Sequence, residues 1–414
     1  MASDRAVDRA ADREARAVPR TGTARHARWR GVADVLAEVR RQPGTTRAEL
    51  ARALGMSTSS ATEITARLRS LHLLAEAPAP VQGRGRPSTV LQPHPDGPLV
   101  LAVELRHEDW RVAVAGLHGH PTCVAEGRHD GGGPDTAVRA VAHAVQREHQ
   151  RHGRRVRAVS VTVAGTVVGG QLVQASTLGW GAVDLSGLLQ STGMSDAVPL
   201  LVGNDATLAA VAEGRTGSAA ASRTALHLIV EVGVGGALVI DGRPLTGAGG
   251  AAGEFGHLPF GDPTLHCPCG ARGCWDLEVD GRALARHLGA PPPHDPRSYA
   301  RRVLDEAPHH RNAQEAVNAV ATAIARGTAG LVNAHDPDVV TLGGLAVPLR
   351  TAAPEAFESA YIGGLMTFRR RQPPKVLDAR HGEDGALHGA IALGLDHAMT
   401  DTALDAWAQD LGKP

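Results

Sequence analysis

The 414 residues carry 43 Lys+Arg against 43 Asp+Glu and are 43% hydrophobic, so the chain is formally neutral and long enough for two or three domains with separate cores. No apolar run reaches the length that crosses a bilayer, and the Arg-rich, acid-interspersed start has no signal-peptide pattern. On these features a cytoplasmic protein is expected, neither membrane-spanning nor signal-directed. The charge is unevenly placed: residues 1–92 hold 16 Arg against 9 acids, and the remainder is acidic by the same margin. A basic head on an acidic body fits a head that meets nucleic acid.

Residues 1–26 contain almost no large apolar side chain, and a disordered tail is expected there. A winged helix-turn-helix is expected over 27–92. Trp29, Val32, Ala33, Leu36 and Val39 fall at helical spacing, and Gln42-Pro43-Gly44 ends that helix. Thr46 and Glu49 form a capping-box pair ahead of a short helix with Leu50, Ala51 and Leu54 on one face. Gly55 ends it, and Ser57 opens a second helix, Thr58 to Leu71, with Ala61, Ile64, Leu68 and Leu71 inward. The pair reads as a helix-turn-helix, for which an ordinary packed hairpin is the alternative.

Ser57, Thr58, Ser59, Ser60 and Thr62 are short hydrogen-bonding groups at the start of the second helix, suited to base edges in a major groove. Arg47 and Arg67 are candidate phosphate contacts, with Arg69 beside them. Leu73 to Glu76 reads as a strand and Gly83-Arg-Gly-Arg-Pro-Ser88 as a wing tip, where Arg84 and Arg86 suit a narrow minor groove. Residues 93–98, PHPDGP, read as a linker to a body over 99–414.

In the body, Leu99–Leu105 and Arg111–Leu117 read as paired strands, and Asp135–Gln150 as a helix with Ala137, Val141 and Val145 inward. Val156–Ala164 is a buried strand ending at Gly165, and a loop follows from Ser176 to Trp180. Leu200 to Thr207 is a strand running into a helix start. There Asn204 and Asp205 have the chemistry to grip adjacent hydroxyls, although Asp205 as a plain helix cap is the alternative. Thr224–Val232 is a core strand, followed by Gly233-Val-Gly-Gly236, a glycine loop that a hairpin turn explains equally well.

Three of the four cysteines, Cys267, Cys269 and Cys274, then fall within eight residues, with His257 ten residues before the first. Thiolates and an imidazole are the donors of a closed structural Zn²⁺ site. His266 is the other candidate for fourth ligand, but its adjacency to Cys267 makes joint ligation awkward, so His257 is favoured. Further on, Gln314–Val332 reads as a long helix, Asn333 to Gly344 as a helix end, strand and double glycine, and Gly385–Met399 as a last helix.

The runs GEFGH (253–257) and CPCGARGCWD (267–276) resemble the signature of the ROK family of repressors and sugar kinases, and the helix-turn-helix with its wing resembles the head of ROK repressors of the xylose-repressor type. The resemblance implies a two-lobed, actin-like (ribonuclease H-like) α/β domain behind an all-α head with a wing. Lobe 1 would cover about 99–213 plus 385–400, and lobe 2 about 214–384 with a zinc loop at 254–278. It also implies a sugar site made of Gly165, Thr177, Asn204, Asp205, Glu254, His257 and Asp276, with zinc fixing Glu254 and His257. Thr177 stands where the family usually has Asn, and Asp276 where it usually has Glu.

In the kinases the position of Asp205 is the general base. An Asp-x-Gly-Gly-Thr phosphate loop, however, is replaced here by Glu104-Leu-Arg-His-Glu108. Side chains there crowd the backbone amides that cradle phosphate. The expectation is therefore a non-enzyme in which Asp205 is a relic: a sugar-responsive repressor, acting at the nucleoid as a homodimer or dimer of dimers on operator DNA. The alternatives are an active ATP-dependent sugar kinase with a DNA-binding head, or a ligand-free dimeric regulator governed by a phosphocarrier protein.

Overall fold

The computed structural model describes residue 29 and residues 31–79, 89–129, 133–190, 193–194 and 197–412. The expected tail at 1–26 and the wing tip with Arg84 and Arg86 lie outside the described residues. The chain forms two compact units, one of Met1–Pro98 with Asp396–Pro414 and one of Leu99–Leu395.

The first unit contains helices α1 (Val32–Arg41), α2 (Arg47–Ala53) and α3 (Thr58–Ser70), and strands β1 (Leu74–Pro78) and β2 (Thr89–Pro93). Thr46 and Glu49 make the reciprocal capping box at α2, and Ser57 accepts the Ser60 amide to start α3. Val35, Leu36 and Val39 of α1 are buried, as are Leu50 of α2 and Ala61 and Leu68 of α3. β1 and β2 pair antiparallel, from Leu74 opposite Pro93 to Pro78 opposite Thr89, and so flank the expected wing. A C-terminal helix, Asp401–Leu411, completes this unit. Sequence alone assigns residues 396–414 to the body. They cluster with the head because the indole N–H of Trp407 donates to the Leu71 carbonyl and that of Trp29 to Asp405.

The second unit holds two five-stranded sheets of one topology. In the first, the order is β5-β4-β3-β6-β9, built from β3 (Leu99–Leu105), β4 (Asp109–Ala115), β5 (Thr122–Arg128), β6 (Val156–Val163) and β9 (Leu200–Asn204). A small hairpin, β7 (Thr166–Val168) with β8 (Gln171–Gln174), follows β6. The second sheet runs β12-β11-β10-β13-β14, built from β10 (Thr224–Glu231), β11 (Gly233–Ile240), β12 (Arg243–Pro244), β13 (Val339–Gly344) and β14 (Lys375–Asp378). In each sheet the first strand in chain order pairs antiparallel on one side and parallel on the other. β3 is buried at every position, which is why its first five residues, Leu99 to Val103, read as an apolar run rather than an alternation. The repeated topology is the two-lobed arrangement that the family resemblance implies.

Helix α4 (Pro134–His152) covers the first sheet, and α5 (Asp205–Thr216) leaves directly from β9. In the second lobe α6 (Gly281–His287), α7 (Pro296–Glu306), the long α8 (Arg311–His335), α9 (Ala346–Ala352) and α10 (Pro354–Gly364) build one core with the sheet. Helix α11 (Gly385–Ala398) returns to lobe 1 over the part that precedes Asp396. Gly233–Gly236, which reads from sequence as a loop, is the first half of β11, paired with β10 by a tight turn in which Glu231 faces Gly233.

The fully buried Trp275 seats the cysteine loop against α8, where its indole N–H donates to the Ala323 carbonyl at 3.0 Å. Gly327 lies so close under the ring that a Cβ there collides with it. Gly327→Ala is therefore expected to destabilise the body by about 1–3 kcal/mol despite the better helix propensity of Ala. Chemical denaturation followed by far-UV circular dichroism checks this; an unchanged midpoint means that the indole has room to move.

Candidate functional site

His257, Cys267, Cys269 and Cys274 bring their donor atoms within 4.8 Å of one another. Cys269 Sγ is 3.7 Å from Cys274 Sγ, and Cys267 Sγ is 3.8 Å from His257 Nδ1. Those separations match the edges of a tetrahedron with metal–sulfur bonds of about 2.3 Å. Burial, reinforced by the adjacent sulfurs, pushes the Cys274 thiol up to about 12, so a cation is the natural relief for this crowd of sulfurs. His266 is outside the cluster and forms a bridge with Arg272. The imidazole of His257 faces two ways: Nδ1 towards the thiols, and Nε2 towards the Glu254 carboxylate at 3.8 Å. A carboxylate behind a ligating imidazole is the usual way to fix its tautomer and its plane.

Glu254 and His257 lead into the cleft of the second unit, whose cavity measures about 130 Å³. Gly165, Thr177, Asn204, Asp205, Glu254, His257 and Asp276 all line it. Their hydrogen bonds divide the work among them. Asn204 is the N-cap of α5: its Oδ1 accepts the Thr207 amide, and its Nδ2 donates to the Gly165 carbonyl and to Asp205 Oδ1. The capping role thus falls to Asn204, and Asp205 stands in the first turn.

Asp205 Oδ1 accepts its neighbour Ala206's amide at 2.8 Å. Burial, with Glu104, Glu231 and Glu254 nearby, raises the Asp205 carboxyl to about 7, against the pull of the Ala206 N–H. Asp276 is turned to protein: its Oδ1 accepts the Val234 amide at 2.7 Å, while Asp280 accepts the Gly233 amide at 2.7 Å. These two carboxylates hold the β10–β11 turn, and Gly233 is required there, at φ 92°, because a Cβ would strike Asp276.

Sequence reasoning passed over Glu231 and Arg297, which also line the cleft. Arg297, at the start of α7, reaches Glu231 at 2.9 Å and Glu108 of the β3–β4 turn at 3.4 Å, so one guanidinium ties the two lobes. Burial raises the Glu231 carboxyl to about 6, and Arg297 opposes the rise. Glu104 pairs across the sheet with Arg111 at 2.6 Å, and Arg106 closes the β3–β4 turn on Asp109 at 2.6 Å. Side chains therefore fill the turn expected to lack a phosphate cradle. Neither Glu231 nor Arg297 belongs to a motif, and only the lobe geometry brings them together.

In the head, Ser57, Thr58, Ser59, Ser60 and Thr62 are exposed at the start of α3. Ser57 Oγ lies 2.9 Å from Ser59 Oγ and 2.8 Å from Ser60 Oγ, and Thr62 donates to the Thr58 carbonyl. Arg47 and Arg69 converge on Glu76 at 3.6 and 3.3 Å, and Arg67 lies over the Trp29 ring at 4.4 Å. Among the described residues no helix is long and apolar enough to cross a membrane.

Glucokinase of Streptomyces coelicolor is 32% identical over 156 residues, covering 37% of this chain and 48% of that enzyme. Kanosamine kinase of Amycolatopsis mediterranei is 30% identical over 254 residues, covering 60% and 80%. The chain spans about half the length of the Streptomyces relatives it matches. Among solved structures, a ROK family transcriptional regulator described as a homolog of the E. coli MLC protein superposes with a TM-score of 0.69 at 21% identity, over 91% of this chain and 97% of that one. A ROK family glucokinase from Streptomyces griseus, in complex with glucose and AMPPNP, superposes with a TM-score of 0.62 at 23% identity, over 72% and 99%.

These relatives overturn the expectation of a non-enzyme. That expectation rested on one altered turn, whereas the matched sequences are named sugar kinases and the candidate base Asp205 remains in the cleft. The profile of the ROK family matches residues 124–397, which take in the cleft and the cysteine loop; with the doubled sheet topology and the cluster of one histidine and three cysteines, this places the chain in the ROK family.

Proposed function

We propose that the chain is a DNA-binding ROK regulator whose cleft binds a sugar or sugar derivative and whose cysteine loop holds a structural zinc ion. The observation that carries this reading is the coexistence, in one chain, of a helix-turn-helix with exposed hydroxyl side chains at the start of α3 and of a cleft with sugar-binding chemistry. The coverage of the structural neighbours supports it: the kinase superposes on 72% of the chain, and the regulator on 91%. Glu254 and His257 would bind sugar hydroxyls, with zinc holding the imidazole. Asp205 would accept a further hydroxyl hydrogen through its second oxygen. Ligand binding would bias the lobes between states of different affinity for the ligand, and so alter how a symmetric dimer presents its two heads.

Three outcomes are expected. First, Cys269→Ser, or chelation of the wild type, releases bound zinc measured by plasma emission and removes the rise in melting temperature given by whichever member of a glucose, N-acetylglucosamine and kanosamine panel stabilises the wild type. Full sugar-dependent stabilisation in a metal-free variant sinks the coupling. Second, footprinting on genomic fragments selected by the full-length protein shows two half-sites about one helical turn apart. Ser59→Ala then weakens discrimination between cognate and mutated half-sites by about 1 kcal/mol, with binding to random duplex little changed. Protection without symmetry argues against the dimeric reader.

A second reading, favoured by the named sugar kinases among the relatives and by Asp205, whose carboxyl burial raises to about 7, is that the same cleft transfers phosphoryl groups from ATP to a sugar hydroxyl. Asp205 accepts a proton only when ionised, so the third outcome, under this reading, is a kcat/KM that falls as pH drops below about 7 and levels above it. Asp205→Asn then lowers turnover by about 10²–10⁴. A coupled ADP-release assay over the sugar panel decides; no turnover with any sugar removes the second reading and leaves the first standing.

A further inference from the structure

The body carries more acid than base, but one of its helices does the opposite. Residues 134–157 hold six arginines, at 139, 147, 151, 154, 155 and 157, against two acids, Asp135 and Glu148. Helix α4 sorts its share of them by face. Ala137, Val141, Ala144 and Val145 are buried in the core of lobe 1, and Glu148 is buried with His152 3.5 Å away. Beyond the first turn, the exposed residues of α4 are Arg139, Ala140, His143, Arg147, Gln150 and Arg151. Arg139, His143, Arg147 and Arg151 follow one another at steps of four, the spacing of a single ridge on a helix, over about 18 Å. The guanidinium groups of Arg147 and Arg151 have no acidic partner among the described residues, and that of Arg139 reaches the Thr136 hydroxyl at 3.5 Å. Arg147 and Arg151 stand at i and i+4, where like charges destabilise a helix, so the ridge does nothing for α4 itself. Beside it, α4 and the short helix Gly187–Gln190 enclose a groove whose polar lining is Asp135, Arg139, His143, Gln146 and Gln190.

A cationic face selects among partners by what else it offers. Protein partners are anchored by buried aromatic or aliphatic side chains, and this ridge presents no large apolar group. A polyphosphate needs no such anchor, and guanidinium meets phosphate through paired, charge-assisted hydrogen bonds. Along one strand of duplex DNA a phosphate recurs about every 3.4 Å of axis, so a ridge of this length spans several. We infer that the outer face of α4 is a second contact for duplex DNA, one that grips phosphates without regard to sequence. The inference builds on the DNA-binding reading above. It gives the body a share of the affinity and none of the selectivity, because phosphate contacts carry no sequence information.

The test compares two full-length variants with the same change of charge. One carries Arg139→Gln, Arg147→Gln and Arg151→Gln, exchanges that keep a good helix former at each exposed site. The control carries Arg223→Gln, Arg302→Gln and Arg311→Gln, exposed arginines of the body that already face Asp241, Glu306 and Glu315. Binding to a random-sequence duplex and to genomic fragments selected by the wild type is followed by fluorescence anisotropy across a salt series. In the α4 variant the slope of log K against log salt should flatten by about 2–3, or about 0.9 per lost phosphate contact. Affinity in about 0.1 M salt should fall about tenfold or more on both duplexes alike, so that their ratio is kept. The control should keep the wild-type slope. Equal slopes in the two variants overturn the inference, because the ridge is then a solvated face and nothing more. A loss confined to the selected fragments also overturns it, since phosphate contacts cannot tell the two duplexes apart. Poly-L-glutamate that binds the wild type and is lost from the α4 variant, with duplex binding untouched, overturns it in favour of an acidic protein partner. A wild type that binds no duplex removes the DNA-binding reading itself, whereas a wild type that binds with a slope indifferent to α4 removes this inference alone.

Discussion

Three successive residues, Cys274, Trp275 and Asp276, carry the joint on which the body depends. The thiol belongs to the cluster with His257, Cys267 and Cys269, the indole is buried against α8, and the carboxylate accepts the Val234 amide of the β10–β11 turn. Side chains at consecutive positions of a short 3₁₀ turn leave in different directions, so a single stretch of backbone can tie the cysteine loop, a core helix and a sheet edge together. The core around Trp275 is the larger lobe's own, and the turn held by Asp276 and Asp280 forms part of the cleft wall. Loss of order in the cysteine loop therefore reaches the cleft through one residue rather than through a long relay.

The cleft has two chemical ends. At one, Glu254 and His257 face the cysteine loop, with Asn204 braced against Gly165. At the other, Arg297 joins Glu231 and Glu108 across the lobes. An ion pair enclosed by protein is costly to break by removing one member, since the remaining charge then lacks its partner. Separating the lobes there would leave the Glu231 and Glu108 carboxylates without their shared guanidinium.

Much of this was legible in the residues. Periodicity located α1, α3, α4 and α8, and the Thr46–Glu49 pair located the start of α2 because a capping box is a local interaction with a local signal. The four donors of the histidine–cysteine cluster were legible because thiols at that density have few other uses. The seven residues carried over by family resemblance do line one cleft. What escaped had no local signal. β5 is an edge strand with mostly exposed or half-exposed side chains, so it shows no alternation. Arg297 is one arginine among many on an amphipathic helix, and its partners lie in other strands and turns. Asp276 reads from sequence as a cleft carboxylate, but its orientation depends on a hairpin about forty residues away in sequence, which no spacing rule reports. The glycines of 233–236 suggest a loop or a hairpin turn; the hairpin is what forms, and backbone pairing with β10 makes the glycines strand because the turn is completed at Gly233 itself.

The head is assembled from two stretches of chain with the entire body between them. A ribosome delivers α1 to α3 first and the helix bearing Trp407 long afterwards, so during synthesis the emerging head waits without the partner for Trp29 and for the Leu71 carbonyl. A nascent chain is thus kept from finishing its head until the body has already been translated.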